Sequence, residues 1–332
     1  MDRYNVAVVG ATGAVGREMV DILEQRDFPV DKLKLFATEK SKGEEFDFKG
    51  ETYVVDTIKP GSFSDIDFAL FSIGSTPSKE IAPQAAKEGA VVIDNSNAFR
   101  MDDQVPLVVP EINPGAIDEH QGIIANPNCS TIQMVLALKP IYDQVGIERI
   151  IVSTYQAVSG TGKAAIDELK KQVEDYVAGK EMKSEVYPHQ IAFNVLPHID
   201  IFFDNGYTKE ELKLVRETKK ILEDSTLDIS ATAARIPVFY GHAEAVNIET
   251  KEKLSPQEAK EILAQTEGVE VVDNPENNKY PLPIDSEKND HVMVGRIRKD
   301  LSHEKGLNLW VVANNLRKGA ALNAVQIAEK MI

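Results

Sequence analysis

The sequence predicts an α/β chain in two parts: a parallel sheet wound with helices, followed by a second, α+β domain built on a mixed sheet. Three observations predict it. Short apolar runs alternate with helical periodicity through the first third, a glycine-rich turn joins the first run to the first helix, and past residue 150 strands outnumber helices. At 332 residues the chain is long enough for two domains, and 42% hydrophobic with 27% charged residues allows a sizeable core under a soluble surface.

In chain order, residues 5–9 form the first apolar strand, and 13–26 carry apolar side chains at helical spacing. Strands at 33–37, 68–72 and 91–94 follow, with a helix over 78–88 before the last of them. A short run at 123–125 leads into Asn126-Pro127-Asn128-Cys129-Ser130, after which 131–138 reads as helix, so the cysteine stands at a loop-to-helix junction. Then come a strand at 150–155, helices at 163–177 and 209–222, and strands at 243–249, 269–272, 292–297 and 307–313. Residues 317–331 read as a final amphipathic helix, and the acidic, Asn/Pro-rich stretch 273–290 as a long exposed loop. The expected domains are 1–128 plus the C-terminal helix 317–332, and 129–316.

A formal net charge of −16 opposes a large basic footprint, so nucleic acid and anionic membranes are not expected as partners. One cysteine allows no intramolecular disulfide, and no apolar run approaches the roughly 18 residues of a membrane span. With a strand pattern beginning at Tyr4 and no basic, apolar leader before it, a cytoplasmic location is expected.

Gly10, Gly13 and Gly16, with Thr12, Ala14 and Val15 between them, lie between a strand and a helix. This spacing permits a tight turn and close backbone approach to a diphosphate at a helix N-terminus, which predicts a Rossmann-type dinucleotide-binding domain. At the end of the second strand, Thr38, Lys40 and Ser41 suit the 2′-phosphate of NADP, whereas Glu39 suits the ribose hydroxyl of NAD if it points inward.

Cys129 falls where backbone N–H groups and the positive end of a helix stabilise a thiolate. A thiol of ordinary pKa is only about 3% ionised at pH 7, so this placement favours a nucleophile. Of six histidines, His242 follows an arginine, a proline and a glycine turn; His189 and His198 are the other candidates, and spacing does not choose among the three. No histidine pair has ligand spacing and there is no second cysteine, so no metal is expected.

Several segments together carry a resemblance: Gly10 through Gly16, Asp94-Asn95-Ser96 with Phe99-Arg100, Val108 through Asn113, Asn126 through Thr131, Tyr155 through Gly160, Arg235 through His242, and Trp310-Val311-Val312 with Asn315 through Ala321. In this order and over nearly the whole chain, they resemble the bacterial type of aspartate-semialdehyde dehydrogenase. The resemblance implies NADP-dependent interconversion of L-aspartate 4-semialdehyde plus phosphate with 4-aspartyl phosphate, through a cysteine thioester, in aspartate-family amino-acid biosynthesis. It further implies Cys129 as nucleophile, His242 as acid/base and Gln156 as the residue orienting substrate. Arg235 would hold the substrate α-carboxylate, Glu210 its amino group, and Arg100, Asn128 and Lys213 the phosphate. Ser159, Gly160 and Asn315 would contact the cofactor, the second domain would carry dimerisation, and the assembly would be a homodimer or tetramer. Asn314 stands where the family's pattern has an acidic residue. The related N-acetyl-glutamyl-phosphate reductases use similar chemistry, but an acetylated amine has no use for Glu210.

Overall fold

The short strands of the first part, 3 to 7 residues long and at the centre of their sheet buried on both faces, need cover on both sides, and the chain supplies it by returning through helices. The computed structural model describes residues 2–332. Its strands are β1 (Tyr4–Val9), β2 (Val30–Phe36), β3 (Glu45–Phe48), β4 (Glu51–Val54), β5 (Phe68–Phe71), β6 (Val91–Asp94), β7 (Ile123–Ala125), β8 (Ile147–Gln156), β9 (Asp228–Arg235), β10 (His242–Thr250), β11 (Val269–Val271), β12 (Val292–Lys299) and β13 (Gly306–Ala313). The helices are α1 (Ala14–Gln25), α2 (Ser75–Lys87), α3 (Cys129–Val145), α4 (Lys163–Val177), α5 (Lys209–Ile221), α6 (Pro256–Ala264) and α7 (Leu322–Glu329). Two compact units result. One runs to Asn128 and resumes from Ala320 to Ile332; the other is Cys129–Gly319.

The first unit is a five-stranded sheet in the order β2-β1-β5-β6-β7, parallel throughout. From β1 the chain goes to β2 on one side and later to β5 on the other. The order therefore reverses at β1, which opens a crevice at the carboxyl ends of these strands. Helix α1 buries Met19, Val20, Ile22 and Leu23 against the sheet, in a core shared with Val6, Val8, Leu70 and Ile93.

The second unit is a six-stranded mixed sheet in the order β11-β12-β13-β10-β8-β9. The central pairs are antiparallel, and both edge pairs, β8 with β9 and β11 with β12, are parallel. Helix α3 crosses the sheet and packs against α5 and α6. Helix α5 starts at a reciprocal cap: the Thr208 side chain accepts the Glu211 N–H, and the Glu211 carboxylate accepts that of Thr208.

Several expectations from periodicity need correction. The final helix exposes a narrower polar face than its periodicity suggests: after a π-helical turn over Arg317–Ala321, α7 buries Leu322, Ala324, Val325, Ile327 and Ala328 and even Asn323, and leaves Gln326 and Glu329, three apart on one face, half-buried. Asn323 is tolerated there because its Nδ2 donates to the Val108 carbonyl and to Asn126 Oδ1. Helix α3 is longer than read, running through Pro140 to Val145. The β3–β4 hairpin, β9 and α6 were not anticipated. Among the described residues no helix is long and apolar enough to cross a membrane.

Candidate active site

In the first unit the carboxyl ends of β1, β2 and β5 border a cavity of about 650 Å³ lined by Gly10, Thr12 and Gly13, by Thr38 and Glu39, and by Lys59 and Gly74 among others. Gly10 has φ +85°, and a Cβ there would lie 2.3 Å from the Ser72 carbonyl oxygen, so only glycine lets the turn press this close to the sheet. A Cβ at Gly16 would come 2.1 Å from the Gly10 oxygen. Gly13 is the N-cap of α1, no side chain caps the helix, and its first turn holds no acidic residue. Such a helix start, set against a cavity, fits the diphosphate of a dinucleotide.

The segment after β2 differs from its reading. Glu39 lines the cavity, whereas Lys40 and Ser41 do not; the cation that borders it is Lys59, which no sequence motif marks. Ser41 Oγ instead accepts a hydrogen bond from Thr12 Oγ1 at 3.2 Å, bracing the glycine turn. Also in this unit, buried Arg100 donates from Nε to the Asn126 carbonyl and from Nη2 to that of Asn95, each at 2.8 Å. Asn128 is buried at the end of the same loop.

In the second unit Cys129 is the first residue of α3 and is partly exposed. A Cβ on Gly319 would lie 2.9 Å from that of Cys129, so a larger residue there would displace the thiol. From the end of β8, Gln156 Nε2 donates to Ser130 Oγ at 2.8 Å and to Glu210 Oε1 at 3.0 Å. This ties the residue after the cysteine to α5. Lys213, one turn along α5, bonds Glu210 Oε2 at 2.9 Å and Asp200 Oδ2 at 3.2 Å. Burial alone would raise the Glu210 pKa, but the Lys213 ammonium, hydrogen bonds from Lys213 and Gln156, and the Arg235 charge bring it down to about 2. Glu210 is therefore a buried anion.

Arg235 ends β9 and His242 opens β10, and both border Gly160: a Cβ there would stand 3.0 Å from Arg235 Nη1 and 3.3 Å from His242 Nε2. The β8–β9 corner holds them. Arg235 Nη1 donates to the Ala157 carbonyl at 2.7 Å, and the Ala157 N–H donates to His242 Nδ1 at 3.1 Å. With Nδ1 accepting, the neutral ring carries its proton on Nε2. Burial, reinforced by the Arg235 charge, lowers the His242 pKa to about 3, so the ring is neutral at pH 7. Among the described residues Arg235 Nε and His242 Nε2 are buried with no hydrogen-bond partner. Two buried donors left in this state call for an acceptor.

Ser159 and Asn315, read as cofactor contacts, bond each other at 3.0 to 3.1 Å, and Asn315 Oδ1 also accepts the Gly241 N–H at 3.0 Å. They brace the turn that presents His242. His189 and His198 are not part of the Gly160 corner, and His198 instead stacks on Phe202 at 4.4 Å. Among the described residues no group of three or more His, Cys, Asp or Glu is arranged to hold a metal.

Comparison with known proteins agrees with this division. The family model for the semialdehyde dehydrogenase NAD binding domain matches residues 5–120, and that for the semialdehyde dehydrogenase dimerisation domain matches 138–318. The aspartate-semialdehyde dehydrogenase of Aquifex aeolicus is 60% identical over 99% of this chain and 98% of its own. The crystal structure of aspartate semialdehyde dehydrogenase II from Vibrio cholerae, complexed with ASA, superposes with a TM-score of 0.97 at 52% identity over 100% of this chain and 98% of that one. The Candida albicans aspartate semialdehyde dehydrogenase, solved with NADP, gives a TM-score of 0.78 at 26% identity, over 99% of this chain and 98% of that one. With both domain models matched in order and relatives this similar over their full lengths, the chain belongs to the semialdehyde dehydrogenase family.

Proposed function

We propose that the protein is an NADP-dependent, phosphorylating aspartate-semialdehyde dehydrogenase. The observation that carries this reading is the pair of buried, unpartnered donors, Arg235 Nε and His242 Nε2, beside the anion Glu210 and the helix that starts at Cys129. A short amino-acid aldehyde needs this set: a cation for its carboxylate, an anion for its ammonium, a donor for its reacting oxygen and a nucleophile for its carbonyl carbon.

In the oxidative direction the Cys129 thiolate adds to the aldehyde carbon, and the carbonyl π pair moves onto oxygen. His242 Nε2–H donates to that oxygen as it becomes an alkoxide, a contribution of the oxyanion-hole kind. Because the Ala157 N–H occupies Nδ1 and the proton sits on Nε2, the geometry favours this donor part over the proton-accepting part implied by the resemblance. Gln156 positions the adduct through its fixed amide, Arg235 takes the α-carboxylate and Glu210 the ammonium group. When bound, the nicotinamide supplies the hydride acceptor that turns the adduct into a thioester, which phosphate then cleaves to the acyl phosphate. Arg100, Asn128 and Lys213 are assigned to that phosphate, and Thr38 with Lys59 to the 2′-phosphate of NADP.

The test is absorbance at 340 nm with L-aspartate 4-semialdehyde, phosphate and NADP. Cys129→Ser should lower kcat at least ~10³-fold, since a hydroxyl is a far weaker nucleophile at neutral pH. Retention of a tenth of the wild-type rate would remove Cys129 from the chemistry.

A further inference from the structure

One pair of buried polar side chains is used by none of these steps. Glu244 lies two residues past His242 on β10, so both project from the same face of the sheet. Gln133 lies four residues past Cys129 on α3, so both share one face of the helix. Helix α3 packs on β10, both side chains are fully buried, and the Gln133 amide is close enough to the Glu244 carboxyl to act on its ionisation. Among the described residues neither side chain has another hydrogen-bond partner, and neither reaches full hydrogen-bond geometry within the pair. On the strand paired with β10, Glu244 stands opposite Thr154, whose hydroxyl lies 3.4 Å from the Gln156 amide.

We infer that Glu244 and Gln133 form a buried tie between the nucleophile's helix and the imidazole's strand, and act as positioning residues that set where Cys129 stands relative to His242. Each member of the reacting pair has a polar neighbour one repeat further along its own element, and these two neighbours face each other. The inference rests on the assignment of Cys129 and His242 above. Chemically the tie requires Glu244 as the neutral acid, its O–H donating to the Gln133 amide oxygen. Burial favours that form, and so does the Glu210 anion, which opposes a second negative charge; together they outweigh the Gln133 amide, whose N–H₂ would favour the carboxylate. A carboxylate there would have to take both its hydrogen bonds from the amide N–H₂.

The experiment uses the full-length enzyme, with Glu244→Gln, Glu244→Met, Gln133→Met and the double methionine variant, each checked for a cooperative thermal transition. Glu244→Gln keeps a neutral donor and should stay within about threefold of the wild-type kcat, as the equal shape and hydrogen bonding imply. Each methionine variant keeps volume but loses the tie, and kcat should fall about 10- to 100-fold, the scale of a misplaced reacting group, with KM within about twofold. The double variant should be no slower than the slower single, because both remove one interaction. Methionine variants at the wild-type rate, additive losses in the double, or a Glu244→Gln variant as slow as Glu244→Met would each overturn the inference. Should Glu244→Met fail to fold, Gln133→Met and Glu244→Gln decide alone. An inactive wild type, or an active Cys129→Ser, would overturn the underlying assignment instead.

Discussion

Arg235 shows what a single side chain contributes here beyond charge. Its Nη1 is committed to the Ala157 carbonyl, which orients the guanidinium plane and leaves buried Nε without a partner among the described residues. Lysine offers no fork and cannot both hold that carbonyl and grip a carboxylate in parallel. Arg235→Lys should therefore lower kcat/KM for the aldehyde by about 2–4 kcal/mol in transition-state binding. A near-wild-type kcat/KM would take Arg235 out of the substrate pocket. At the same scale, the two buried glutamates oppose each other in their effect on stability. The folded-state pKa of Glu210 is lowered to about 2 from 4.5, so its contribution is present above pH 4.5 and is lost as pH falls from there toward 2. That of Glu244 is raised well above 4.5, so the folded state holds the extra proton, and stability declines as pH rises above 4.5 toward the raised value. Glu244→Gln cannot ionise, so its stability advantage over wild type should widen as pH rises from 4.5 toward the raised value, by up to about 1.4 kcal/mol per pH unit. Parallel denaturation curves for the two proteins across that range would show Glu244 to be ionised already.

At the scale of elements, the proposed preference for NADP is tested at the turn after β2. Thr38 and Glu39 border the cavity at its near side and Lys59 enters from a separate loop, so opposite charges face the same space. Lys59 is well exposed and also pairs with Asp56 at 3.5 Å, so its effect is screened and modest. Lys59→Ala should reduce the preference for NADP over NAD by up to about tenfold, while Glu39→Gln should increase it, because a 2′-phosphate then meets one negative charge fewer. Lys40→Ala should change neither cofactor's KM. Equal weakening of NADP and NAD in Lys59→Ala would place the adenosine ribose elsewhere. The glycine turn was legible because its spacing is dictated by sterics local to residues 10–16; the cation was not, because Lys59 reaches the cavity only through the packing of a loop with no pattern of its own.

For the molecule as a whole, the second unit presents a sheet with two unlike faces. The face toward α3 carries the proposed site; the opposite face alternates Ile151, Ser153 and Tyr155 on β8 with Ala245 on β10 and Trp310 on β13, all only half-buried. Tyr155 and Trp310 pack with ring centroids 5.6 Å apart. A broad, partly apolar sheet face in a dimerisation domain is suited to a second copy of the chain. Ala245→Arg, in the middle of that face between Ser153 and Trp310, should shift the sedimentation coefficient toward a monomer, whereas an unchanged value would move the interface elsewhere. The sequence by itself determined what depends on local sterics and period: the glycine turn, the helix start at Cys129, the alternation of the first unit and the mixed character of the second. Arg235 and His242 were named through the family resemblance of the segment that holds them, since spacing alone left His189 and His198 open. Only the tertiary structure decided how much of α7 is covered, with Asn323 buried and only Gln326 and Glu329 left half-buried, since a short helix rich in small and aliphatic residues reads alike whether one face or most of its surface is covered. Only it brought Glu244 against Gln133, Gln156 against Glu210 and Lys59 to the cavity. Those pairings join residues 54 to 111 positions apart or depend on loop packing, and long-range contact is set by how elements stack, which no local period records.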